Sequence, residues 1–208
     1  MPANAIRFSM FSSFTFSCLS CTLANAKNAI EPTMEGDADS LEAGRFTMDE
    51  IFLMNEDGRV SRRSAASSCT ALLFETADKN KTIAVSNVTD GWVTLCNAIA
   101  FHAKTDLYTF SFSEEEDPDA RNALEYRDYS SPQMKERVVH AMKDPRWAFY
   151  EKGEPLYFED VANYKKRKIK DKVNKQILVS YCNRLGLNVE DPDFLNPRGS
   201  VLRIQHSW

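Results

Sequence analysis

The sequence predicts an α+β protein, built on a mixed, largely antiparallel sheet with one central crossover helix and two C-terminal helices. Three observations lead there. Short apolar runs separated by polar turns recur between residues 50 and 112. A single stretch of helical spacing interrupts them at 89–104, and two more helical patterns occupy residues 159–185. At 208 residues, of which 43% are apolar, the chain can bury about 70% of its unfolded surface without metals or disulfides.

The first 45 residues read as a leader. Arg7 is followed by an acid-free stretch and then by Ala24-Asn25-Ala26, the order of a secretory signal. Its apolar middle is weak, because Phe8, Met10, Phe11, Phe14, Phe16 and Leu19 are interspersed with Ser9, Ser12, Ser13, Ser17 and Ser20. Each hydroxyl costs desolvation energy in a membrane, and the stretch is too short and polar to span one. A lipid anchor at Cys21 fits poorly with Cys18 three residues earlier. The competing reading is a disordered tail, since residues 27–45 are rich in Glu, Asp, Ala, Gly and Ser. Either way, the expected organisation is a leader over 1–45 and a single α+β domain over 46–208. Cys69, Cys96 and Cys182 then remain, which is no disulfide framework and points to the cytoplasm. A cleaved signal over 1–26 would point instead to a periplasmic or secreted protein.

Residues 50–54 predict a strand, and Asn55-Glu56-Asp57-Gly58 a turn that returns the chain as a hairpin. Residues 70–76 and 82–86 form two further strands around the polar turn 78–81. Trp92, Leu95, Cys96, Ile99, Ala100 and Ala103 then fall at helical spacing, with Thr89 or Asp90 as the cap. Alternation returns over 107–112, so a right-handed crossover should pair 82–86 with 107–112 in parallel.

The acidic run 114–119 is a charged loop. Residues 122–128 and 137–142 are strands, and 147–150 with 155–158 predicts a hairpin across Gly153. Helices follow over 159–172 and 174–185, the second ended by Gly186. The tail 194–208 has no strong period.

Chemistry is harder to find. Cys96 and His102 lie about 240° apart around a helix and cannot form a dyad. Cys69 with His140 or His206 is geometrically open, but no nucleophile-elbow pattern supports it. Three scattered histidines and a lone C-x-x-C at Cys18 and Cys21 give no metal-ligand spacing, so no metal is expected. Seven unclustered glycines leave no phosphate-binding loop, and no cofactor is implied. The run Lys165-Lys166-Arg167-Lys168-Ile169-Lys170-Asp171-Lys172 could meet phosphates, but its cations surround the predicted helix, and the acidic loops are ready intramolecular partners. The net charge of −4 likewise gives no global pull towards nucleic acid.

Trp92 sits where a strand hands over to a helix; Arg146 and Trp147 open the 147–158 segment, which ends in Glu159 and Asp160. Trp and Arg are enriched at binding hot spots, so these five residues are the candidate binding set. Asp90-Gly91-Trp92 comes first. It is followed by Asp144-Pro145-Arg146-Trp147-x-Phe149-Tyr150-x-x-Gly153-x-Pro155-Leu156-x-Phe158-Glu159-Asp160 and then Tyr164-Lys165-Lys166-Arg167. This order resembles small bacterial α+β proteins, some of them similar to immunity proteins of polymorphic toxin systems. The resemblance covers residues 48–187 and carries no site residue. The expected function is a non-enzymatic protein-interaction module, an immunity-like inhibitor of a protein partner. The alternatives are an enzyme assembled from His140, Asp144 and Glu159, and nucleic-acid binding through the basic helix 161–172.

Overall fold

The computed structural model describes residues 6–34 and 39–207. Fourteen strands and α-helices follow one another along these residues. They are β1 (Ser13–Leu19), α1 (Leu23–Ile30), β2 (Asp39–Gly44), β3 (Phe52–Met54), β4 (Val60–Arg62), β5 (Ser68–Glu75) and β6 (Thr82–Ser86). The chain continues through α2 (Val93–Ala103), β7 (Asp106–Ser113), β8 (Arg121–Asp128), β9 (Glu136–Lys143), β10 (Trp147–Lys152), α3 (Lys175–Arg184) and β11 (Val201–Ser207). Nine strands form one sheet in the order β10-β9-β8-β7-β1-β6-β5-β11-β2, and β3 pairs with β4 as a separate hairpin. The α+β class holds, and every neighbouring pair in the large sheet is antiparallel.

The largest correction concerns the expected leader. β1 lies in the middle of the sheet, paired with β7 along its whole length and with β6 over residues 17–19. The Phe/Ser alternation that weakens a membrane segment is the period of a strand with one face in an aromatic core. Phe14 and Phe16 are buried, and Phe16 stacks on Phe110 and Phe112. The serines and threonines facing the other way pair across strands, Ser17 with Thr109 at 2.9 Å and Thr15 with Ser111 at 3.3 Å. Residues 23–30 form α1, capped where Thr22 accepts the Asn25 N–H, and residues 39–44 form an edge strand. The domain boundary at 45/46 is therefore replaced by one unit that includes this segment; residues 1–5 and 35–38 lie outside the described residues.

β1 also explains why the predicted parallel pair does not form. β6 and β7 do run in the same direction, but β1 is inserted between them and is antiparallel to both. The expected 147–158 hairpin is corrected too: β10 pairs back on β9, and residues 155–158 leave the sheet. Pro155 has no N–H to offer a ladder. The expected helix over 159–172 is absent, leaving short 3-10 turns at Asn163–Lys165 and Ile169–Asp171. Its apolar stripe is imperfect, and like charges three and four residues apart (Lys165 and Lys168, Lys166 and Lys170, Lys168 and Lys172) would repel one another on a helical surface. The unassigned tail supplies β11, whose Val201, Leu202 and Ile204 are buried between β5 and β2.

The two sheet faces are covered differently. One packs Phe14, Phe16, Leu72, Phe110, Phe112 and Val139 against α3 and the loops around it. The other packs Leu19, Ala71, Leu73, Leu107 and Ile204 against α1 and α2. Among the described residues no helix is long and apolar enough to cross a membrane.

Candidate functional site

A turn of chain between β10 and α3, residues 153–168, forms a strap over the first face of the sheet. Its starting point is a buried arginine. Arg137 on β9 shares the inward parity of Val139 and Ala141, and its side chain is almost wholly enclosed. A guanidinium there requires partners for all five N–H groups. It has them. Nε donates to Glu159 Oε1 at 3.0 Å and Nη2 to Glu159 Oε2 at 2.8 Å. Nη2 also reaches Glu151 Oε2 at 3.0 Å, while Nη1 donates to the carbonyls of Gly153 at 2.9 Å and Lys152 at 3.4 Å.

Glu159 is equally engaged. Oε1 accepts the Leu156 N–H at 2.8 Å and Oε2 accepts the Tyr164 hydroxyl at 2.6 Å. Tyr181 on α3 donates to Tyr164 at 3.0 Å and accepts the Asp160 N–H at 3.1 Å. Arg184 closes the far side by donating to the Phe158 carbonyl at 3.0 Å. Burial alone would lower the Arg137 guanidinium, but the hydrogen bonds and charge of Glu159 more than offset it and hold it raised. Burial, then the Glu159 carboxylate, pushes the Tyr164 hydroxyl up. Gly153 makes the entry turn at φ +83°, where a Cβ would stand 2.0 Å from the Glu136 carbonyl oxygen. Only glycine fits there.

The underside of the strap is thus fixed, and its outer side is open. Tyr157 is 82% exposed and Val161 44%. Lys165, Lys166, Arg167 and Lys168 are exposed and have no ion-pair partner among the described residues. The next cations behave differently: Lys170 pairs with Glu115 and Lys175 with Glu114, so the acidic loop is partly neutralised from within. Lys172 rests over the Phe149 ring at 4.7 Å.

No protein-family model, curated protein or solved structure matches this chain.

The five residues expected to bind do not form one site. Glu159 is buried in the Arg137 node, and Asp160 is exposed beside it, its carboxylate accepting the Ala162 N–H. Arg146 is exposed in the β9–β10 turn, at the opposite end of the hairpin from Gly153. Trp147 is half-buried against the first core. Trp92 is half-buried on the other sheet face, at φ 54°, with its N–H donated to Asp90 at 2.8 Å. Asp90 therefore braces the turn before α2 rather than capping the helix itself. The proposed His140, Asp144 and Glu159 constellation is not assembled. His140 points to the face of β9 opposite Arg137 and stacks on Tyr150, with ring centroids 5.3 Å apart.

Sequence reasoning missed Arg137, Tyr164 and Tyr181. The available signal was an arginine at the same parity as Val139 and Ala141, which a one-sided strand would have kept apolar. All five cysteines are free and buried; burial pushes Cys18 up to about 12 and Cys21 and Cys96 to about 11. Among the described residues no group of three His, Cys, Asp or Glu side chains can share a metal ion.

Proposed function

We propose that the protein acts by binding another protein through the outer surface of the 153–168 strap. The observation that carries this reading is the two-sidedness of that segment. Beneath it, Glu159 and Tyr164 are locked to Arg137; outside it, Tyr157, Val161 and four consecutive cations with no ion-pair partner among the described residues face solvent. A segment already ordered in the free protein loses little entropy on binding. Exposed aromatic and cationic side chains on such a support are suited to an acidic partner surface, where opposite charge speeds association. The immunity-like inhibitor suggested by the sequence is compatible with this, since inhibition by occlusion requires only a rigid complementary surface. Five unpaired thiols favour a reducing, cytoplasmic setting.

The test is quantitative co-purification with the wild type, with Tyr157→Ser, and with the triple variant Lys165→Glu, Lys166→Glu, Arg167→Glu. A specific protein partner should lose about tenfold or more in affinity with each variant. A partner retained by both variants would overturn the reading. So would purified protein that turns over a substrate with no partner present. Duplex DNA is run in parallel: a band shift abolished by the triple variant, with no protein captured, would replace the protein partner with nucleic acid.

A further inference from the structure

β10 is one edge of the nine-stranded sheet, and its outer side carries a row of backbone groups. Their direction follows from the ladder. Lys143 donates its N–H to the Ala120 carbonyl, so the odd-numbered residues of β9 face β8 and the even-numbered ones face β10. Met142, His140 and Val138 therefore bond with Ala148, Tyr150 and Lys152. The N–H and C=O groups of Trp147, Phe149 and Glu151 point away from the sheet, and among the described residues no hydrogen bond reaches them. The strap does not close this edge. It leaves at Gly153 and runs inward, over Arg137 on β9, to Tyr181 on α3.

We propose that β10 pairs with β10 of a second copy of this chain, antiparallel and centred on Phe149, to form a two-fold dimer with one continuous sheet. In that register Phe149 lies opposite its own counterpart and Trp147 opposite Glu151, so each outward N–H meets an outward C=O. On the other face Ala148 lies opposite Tyr150. A centre one residue further along, on Tyr150, would oppose Trp147 to Gly153. The φ of +83° at Gly153 breaks the extended line, and its carbonyl already accepts from Arg137. The two-fold axis stands perpendicular to the sheet, so both straps face the same side and a partner with a repeated acidic surface would meet both.

Several features select a second copy as the occupant. Edge strands are kept from such pairing by proline, by bulges, by cover or by charges that project past the edge. β10 contains no proline, and its register with β9 runs unbroken from Trp147 to Lys152. Its charged side chains are engaged within the chain: Glu151 accepts from Arg137 at 3.0 Å and Lys152 donates to Glu136 at 2.7 Å. Ala148 is small and exposed, which leaves room for the half-exposed Tyr150 ring opposite it. At each end of the paired strands Arg146 of one copy meets Lys152 of the other, with Glu136 bonded to that lysine and Glu154 just beyond it, so both signs are matched. The opposite edge, β2, lacks this balance. Its only charges, Asp39 and Glu42, are both acidic, and a second β2 would bring more of the same sign. Six residues a side make a small interface, so the dimer is reversible and forms at micromolar rather than nanomolar concentration.

The test is sedimentation velocity of the full chain from about 1 µM to about 1 mM. The wild type should pass from monomer to dimer across that range. The double variant Ala148→Lys, Tyr150→Lys sets lysines opposite one another at two cross-strand positions. It should weaken the dimer by about tenfold or more with an unchanged circular dichroism spectrum. Ala148→Lys, Tyr150→Glu sets lysine opposite glutamate and should restore it. The register is read separately by mixing Ala148→Cys with Tyr150→Cys under mild oxidation. The mixture should form a disulfide-linked heterodimer faster than either variant links to itself, and the native cysteines are all buried and stay out of the reaction. A wild type that remains monomeric to the top of the range overturns the proposal. So does a dimer that the lysine pair leaves intact, or a lysine–glutamate variant as weak as the lysine pair. The concentration series uses the wild type alone, so it decides even where a variant fails to fold, and none of these readouts depends on what the strap binds.

Discussion

β1 and the 153–168 strap both depart from their sequence reading, in opposite directions and for opposite reasons. β1, expected as a leader, is held by strands on both sides and by an aromatic core beneath it. The strap, expected to continue into a helix, has almost no regular structure and is held by one polar node around Arg137 and Glu159. Apolar burial is distributed, so it resists local change and fails as a whole. A buried ion pair is concentrated, so loss of either partner strands a charge in a dry site. The molecule therefore combines a cooperative sheet with a surface segment whose order depends on a few atoms.

The strongest test of the first half of this comparison is Phe16→Asp. It places an unpaired carboxylate in the sheet core, and no cooperative unfolding transition should remain in a urea titration. Phe16→Ala, the milder form, should lower stability by about 3–5 kcal/mol with an unchanged denaturant slope.

Arg137→Met probes the second half. With Glu159 left buried and uncompensated, stability should fall by about 3–5 kcal/mol. Trypsin should then cut at Lys165–Lys168 under conditions where the wild type is resistant. The double variant Arg137→Met, Glu159→Leu should recover most of that loss, because no charge is left stranded. If the double variant is as unstable as the single, the node does not act as a pair. Gly153→Ala should cost about 1–3 kcal/mol through its positive φ and its collision with the Glu136 carbonyl, and should loosen the strap first.

The smallest effect lies on the far side of β9. Burial, with Arg121 adding to it, lowers the His140 pKa, so the fold prefers the neutral imidazole. The unfolded chain takes its proton near pH 6.5 and the folded chain only at lower pH. Stability should thus decline as pH falls through that window. His140→Phe should flatten the decline while leaving trypsin resistance of the strap intact.

Much of the sheet is legible in local pattern. Alternation over residues 70–76, 82–86 and 107–112 and the Asn55–Gly58 turn reappear as β5, β6, β7 and the β3–β4 hairpin. What local pattern cannot give is pairing at long range. Nothing near Phe14 or Phe16 says that β6 and β7, which begin some 65 and 90 residues later, will close on either side. β11 depends likewise on β2 and β5. The strap fails for a different reason. Glu159 at a helix start and Glu159 as the partner of a buried arginine look the same in sequence, and only the inward parity of Arg137 separates them. The contact of His206 with Asp39 joins residues 167 positions apart and leaves no local trace.

The central claim is that the strap is ordered by the Arg137–Glu159 node and the sheet by burial. Amide hydrogen exchange in the wild type and in Glu159→Gln tests it most directly. The Leu156 and Asp160 amides, bonded to Glu159 and Tyr181, should be protected in the wild type and exchange much faster in the variant, while the amides of β1 keep their protection. Equal protection of the strap in both proteins, or a parallel loss in strap and β1, would contradict the account.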